Sequence, residues 1–236
     1  MNDLNQKIEK VESFLDFISE KENFVNLDDI RSVSIHSLLQ TTQSYLFSLI
    51  LNKELEKIEY VKKNISKTIN KEHLETINYN YDGFLENAFF INLFMFVENH
   101  IREIGLHYEK SYKLINVDSL TQTFKNLRDI NKVSHFKSLD DYDEELFTFY
   151  CYARNTIHNV GFQTKTDKSL IIIDNNSIFK VKKTELKLTQ NSPNNFDFDD
   201  LLILQEQVTK LIFKINSLIP ENEFIKHRFT DLGFNN

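Results

Sequence analysis

The chain has 236 residues, 41% of them apolar, and a formal net charge of −7. That is enough apolar material for one large core or two small ones, while the acidic balance argues against a general nucleic-acid coat protein, which is normally basic. Four Gly and two Pro are too few for a strand-and-turn sandwich, which needs a turn signal about every 8–12 residues, so long helices are expected.

Leu4, Ile8, Val11, Phe14, Leu15 and Ile18 recur at helical spacing with charge between them, which predicts an amphipathic helix over residues 3–21. Asp28 and Asp29 can start a second helix, whose stripe is Val33, Leu38, Leu39, Leu46, Leu49 and Ile50. A charged helix follows from about Lys53 to Ser66, and the stretch 67–80 is polar and ambiguous. The most apolar segment, 83–105, carries apolar residues nearly all round a helix, so it is expected to be central and buried and to end near Gly105. Helices near 118–131 and from about 140 to 160 come next. The second opens on Asp140, Asp141 and Asp143, acids that suit the positive end of a helix dipole.

From Ser169 to Lys183 the run SLIIIDNNSIFKVKK predicts two short strands around Asp174-Asn175-Asn176. β-branched residues and the Asn pair both support a hairpin there. After the loop NSPNNFDFDD a long amphipathic helix carries Leu201, Leu204, Val208, Leu211, Ile212, Ile215 and Leu218, is closed by Pro220, and leaves a tail. The order predicts an all-α helical bundle with a β-hairpin at about 169–183 inserted before the last long helix. One domain is expected, with residues 1–80 packing on or capping a core formed by 81–236. No apolar run reaches ~18 residues, and the start MNDLNQKIEKVESF lacks the basic residues and apolar run of a signal peptide. With Cys151 as the single cysteine, the expectation is a soluble, cytoplasmic protein without disulfides.

One cluster can carry chemistry: Arg154-Asn155-x-x-His158-Asn159. Arg154 and His158 are four residues apart, so on a helix both project from one face, and Asn155 and Asn159 repeat that spacing on the next stripe. Cleavage of RNA by its own 2′-hydroxyl needs a group to take a proton, one to give it, and positive charge on the phosphate. Imidazole titrates near neutrality and can move protons, and guanidinium offers a planar, always-charged fork to phosphate oxygens. Asn can hold the imidazole or the phosphate, and neither metal nor cofactor is needed. The same spacing also arises where Arg and His merely bridge to a carboxylate.

Elsewhere, Glu98 sits inside the most apolar helix and should meet either a cation, with Arg154 a candidate, or solvent at the helix edge. His100 and His107 are expected at the surface, Cys151 as a buried structural thiol, and Phe89, Phe90, Phe94 and Phe96 as core. Lys180, Lys182 and Lys183 on the second strand could touch an RNA backbone, or simply guard a strand edge.

The stretch ARNTIHNVG, preceded by the helix containing FMFVENHIREIG and followed by a hairpin and a long helix, resembles bacterial HEPN-superfamily proteins. The resemblance covers about residues 84–219, and its sharp part is Arg154, Asn155 and His158. It implies a metal-independent ribonuclease of a toxin–antitoxin or defence system, with Arg154 and His158 catalytic and Asn155, Asn159 and Glu98 supporting. It also implies a homodimer with a composite site and an antitoxin or defence-system partner protein. The family usually places more residues between Arg and His than the three found here, Asn155, Thr156 and Ile157. That departure underlies the alternative expectation of a non-catalytic, HEPN-like module that binds RNA or protein.

Overall fold

The computed structural model describes residues 4–21, 26–112, 119–129, 131, 133–158, 162–180 and 182–227, with side chains given for all of these but 109–112, 157 and 158. Among the described residues the chain is mainly helical: α1 (Leu4–Ser19), α2 (Ile30–Leu55), α3 (Ile58–Asn64), α4 (Lys71–Tyr112), α5 (Leu120–Arg128), α6 (Asp141–His158) and α7 (Phe198–Leu218). A 3-10 turn at Ser134–Phe136 and a two-stranded sheet, β1 (Lys168–Ile173) and β2 (Lys183–Leu188), complete it. None of these helices is long and apolar enough to cross a membrane.

Helix starts follow their capping residues. Asp29 accepts from the Arg31 backbone N–H at the head of α2, Ser119 from Gln122 before α5, and Asp197 from Asp200 before α7. Each satisfies one of the amides that a helix leaves without an intrahelical partner. Buried side chains form two clusters. One joins α1, α2, the middle of α4 and the head of α7 around Phe14, Leu49, Phe89 and Leu93. The other joins the second half of α4 to α5, α6, the hairpin and the rest of α7 around Tyr108, Phe124, Phe147 and Val208. α4 and α7 line both, and the expected division at residue 80 falls inside α4.

Four expectations are corrected. The ambiguous stretch after 70 is helix, continuous with the apolar segment, and the helix passes Gly105 to reach Tyr112. That segment is not buried all round either: Phe84 is 67% exposed and Met95 49%, so one face of α4 stays open. The second strand begins at Lys183, not before it. It pairs Leu186 with Leu170 and Leu188 with Lys168, because its alternate leucines are the residues that can be buried. The connector 174–182 packs on α7 instead, where the buried Glu206 carboxylate accepts from Ser177 Oγ and the Ile178 N–H, both at 2.8 Å. Finally, the tail is no tail as far as His227. Ile225 accepts from Ile30 N–H at 2.8 Å, and His227 N–H donates to Asp28 O at 3.2 Å.

Gly105 is required by a close approach of α4 to α5. A Cβ there would stand 2.4 Å from Thr123 Cγ2, and Thr123 is buried with its hydroxyl bonded to Ser119 O at 3.1 Å, so its methyl cannot swing aside. Overpacking of this kind costs roughly 1–3 kcal/mol, more than the roughly 1 kcal/mol that Ala gains over Gly in a helix. Gly105→Ala is therefore expected to lower stability in urea unfolding, and adding Thr123→Ser, which removes Cγ2, to restore it.

Candidate functional site

α6 is positioned by its own burial pattern. Leu146, Phe147, Phe149, Tyr150, Cys151 and Ala153 all face the core, and the Tyr150 hydroxyl donates to Gln205 on α7 at 2.7 Å. The side left open carries Glu144, Thr148, Tyr152 and Asn155, with Arg154 reaching towards α4.

Arg154 lies over the Phe94 ring, Cζ 4.8 Å from its centroid, and its side chain is 32% exposed. Nη1 donates to Asn155 Oδ1 at 3.3 Å, and Nη2 stands 3.9 Å from Glu98 Oε2, an ion pair beyond hydrogen-bond reach. Nε has no partner among the described residues. Glu98 is instead held by Arg102, one turn along α4, with Nε and Nη2 both 2.8 Å from Oε1. The expected Glu98–Arg154 encounter is thus present but loose, and a second guanidinium that sequence reading did not single out takes the carboxylate. Its signal was there: Glu98 and Arg102 stand at the i, i+4 spacing that pairs charges on a helix.

Two cations and one carboxylate leave net positive charge, and Lys165 adds to it. Burial pushes the Cys151 thiol up to about 12; Glu98 pushes the same way, while Arg154, Arg102 and Lys165 pull against it. The thiol is therefore protonated at neutral pH and no nucleophile, in line with the structural role expected of it.

His158 is the last residue of α6. Its side chain and all of Asn159 lie outside the described residues. Lys180, Lys182 and Lys183 are exposed, with Lys180 in a left-handed conformation (φ 59°) in the connector and Lys183 opposite Ile173. Lys168, which lies over Tyr152 on α6, is at the other end of β1, five residues or about 17 Å away at the rise of a strand. The hairpin therefore does not carry those three lysines to Tyr152.

His100, expected at the surface, is 1% exposed. It shares a helical face with Val97, Ile101 and Ile104, all core residues. Phe89, Phe90 and Phe94 are buried as expected, and Phe96 half-buried. Among the described residues no three His, Cys, Asp or Glu side chains gather as a metal-binding set. A groove of about 360 Å³ runs beside the open face of α6 and is lined by Lys125, Arg128, Glu144, Thr148 and Lys168 among others. Its charges are largely spent on one another, since Arg128 binds Asp141 and Glu144 and Lys125 lies 3.4 Å from Glu144. No family model, no curated protein and no solved structure was found to match the chain.

Proposed function

We propose that the chain is a HEPN-like endoribonuclease that cleaves single-stranded RNA by 2′-hydroxyl attack, without a metal, in a cytoplasmic defence or toxin–antitoxin setting. The observation that carries this reading is the state of Arg154: a part-exposed guanidinium whose terminal nitrogens are loosely held, Nη1 at 3.3 Å from Asn155 Oδ1 and Nη2 at 3.9 Å from Glu98 Oε2, a carboxylate already bound by Arg102. Such a group keeps donors for a phosphate. Arg154 grips the non-bridging oxygens of the scissile phosphate, and Arg102 offsets Glu98. His158, one turn further along α6, moves the protons. The 2′-oxygen bonds to phosphorus as its proton passes to an imidazole, the bond from phosphorus to the 5′-oxygen breaks, and that oxygen takes a proton from a second imidazole. The products are a 2′,3′-cyclic phosphate and a 5′-hydroxyl.

Two imidazoles call for two protomers, so the site is composite across a homodimer. An exposed stripe of α4, Ile77, Phe84 and Met95, shares the helical face of Glu98 and suits a second copy. The test is cleavage of single-stranded RNA in EDTA. His158→Ala and Arg154→Ala are each expected to reduce the rate about a hundredfold or more, with helical circular dichroism unchanged. Wild-type RNA binding without cleavage favours the alternative, a non-catalytic RNA- or protein-binding module. The bond from Arg154 to Asn155 speaks for that alternative, since it occupies a residue that would otherwise steady His158. Neither binding nor cleavage sinks the ribonuclease and the RNA-binding readings together.

A further inference from the structure

Resting on the reading of Arg154 as a phosphate-binding residue, we propose that Tyr152, flanked by Lys165 and Lys168, stacks an unpaired nucleobase beside that phosphate. The ligand class at the site is therefore single-stranded nucleic acid, not duplex.

Two tyrosines of α6 make the contrast. Tyr150 is 6% exposed and its hydroxyl is satisfied by Gln205, the pattern of a core tyrosine. Tyr152 packs only part of its ring on the core and stands on the open side, one turn from Asn155, which Arg154 touches. Two ammonium groups lie over its ring, Lys165 Nζ at 5.1 Å and Lys168 Nζ at 5.3 Å from the centroid, and a stacking base takes the place of one of them while its phosphate keeps the freed charge. Lys165 and Lys168 thus meet on one ring of α6, and Arg154 reaches the same stretch of the helix through Asn155. In a chain of net charge −7, an aromatic ring carrying Lys165 and Lys168, with Arg154 next along the helix surface beyond Asn155, is a local exception to the overall field, and it pairs the two elements of single-strand recognition: a π surface and backbone-tracking cations. A duplex keeps its bases stacked inside and offers none to such a ring.

The groove that continues past Lys168 sets Lys125 and Arg128 against Asp141, Glu144 and Glu145, so it offers little net positive charge to further phosphates. The footprint is accordingly short, a few nucleotides centred on Tyr152 and Arg154.

A short fluorescent 2′-O-methyl oligouridine, which has no 2′-hydroxyl to attack, is compared with an abasic oligomer of equal charge by anisotropy. The wild type is expected to prefer the oligouridine roughly tenfold, in keeping with the stacking of one base on an aromatic side chain. Tyr152→Leu should abolish that preference while keeping the abasic affinity, and Tyr152→Phe should retain it. The ratio is independent of how much of each preparation is folded. Lys165→Ala with Lys168→Ala should weaken both oligomers and flatten the salt dependence. A Tyr152→Leu variant that still prefers the base, while Arg154→Ala loses both oligomers, overturns the stacking and leaves the phosphate site standing. Lysines that only pin segment 162–168 to α6 would give that result. Equal binding of an RNA duplex overturns the proposal as well. No binding of either oligomer by the wild type overturns the reading of Arg154 with it.

Discussion

Asp29→Ala is expected to lower the free energy of unfolding by about 3–5 kcal/mol, the usual consequence of removing one partner of a buried ion pair. Asp29 is 2% exposed and Arg31 8%. The carboxylate accepts from the Arg31 backbone N–H at 2.9 Å and from its Nε and Nη2, both at 2.8 Å, and it takes the Ile225 N–H at 3.4 Å. Removing it leaves a buried guanidinium without its carboxylate and strips α2 of its N-cap. Glu223 O at 2.7 Å and Pro220 O at 3.4 Å remain in contact with the guanidinium, neutral acceptors that do not balance its charge. Asp29→Asn keeps the cap and loses the charge, so it should fall between wild type and Ala. Urea unfolding measures all three, and a loss below about 1 kcal/mol for Ala would mean that the pair behaves as an exposed one.

The second large effect is acid-dependent. Burial holds the His100 imidazole down at about 4; the Ile30 carbonyl, the Asp29 carboxylate and the Asn216 carboxamide favour its charged form, and His227 opposes it. Ile30 and Asn216 lie beside the ring, but neither ring nitrogen reaches hydrogen-bond geometry with them. The fold therefore keeps the ring neutral where the unfolded chain, with an ordinary value near 6.5, takes up a proton. Its contribution is full above pH ~6.5, declines as pH falls, and is gone near pH 4, a total of about 3 kcal/mol at about 1.4 kcal/mol per unit. Stability of wild type minus that of His100→Gln should drop across this window, at most by one proton's worth per pH unit. A flat difference would mean that water or a partner group solvates the ring in the folded state. Asp29 acts on His100, so the two substitutions should not add.

Much of the fold could be read from local pattern, because local pattern causes it. The stripe Leu4, Ile8, Val11, Phe14, Ile18 makes α1 one-sided, and Asp29 and the acids at Asp141 and Asp143 mark helix starts. The first turns of α4 were illegible because their periodicity is thin, with Leu74 the one buried apolar residue before Phe89. SIFKV is more apolar than KTELKL and so reads as the second strand, yet its Ile and Phe go to the helical side and the alternate leucines of KTELKL go to the sheet. The burial of His100 is legible in the sequence, since its spacing from Val97 and Ile104 puts it on the core face.

The candidate site divides in the same way. Arg154, Asn155 and His158 are neighbours in sequence and could be found there. Glu98 as a neighbour of Arg154 depends on how α4 crosses α6, and Lys165 and Lys168 against Tyr152 depend on where the chain returns after α6. No period encodes either crossing. Net charge hid the site too, since −7 overall averages away three or four cations gathered around one helix.

The strap formed by 220–227 has a consequence for how this protein is made. The Ile225 N–H that Asp29 accepts lies 196 residues downstream, so a nascent chain that has formed α1 and α2 still holds an incompletely answered carboxylate and an open end of helix. Closing so long a loop is entropically slow, and Ile225 must have left the ribosome before it can happen. The head of α2 thus becomes secure late in synthesis, and a chain cut short before Ile225 would leave it exposed to proteases.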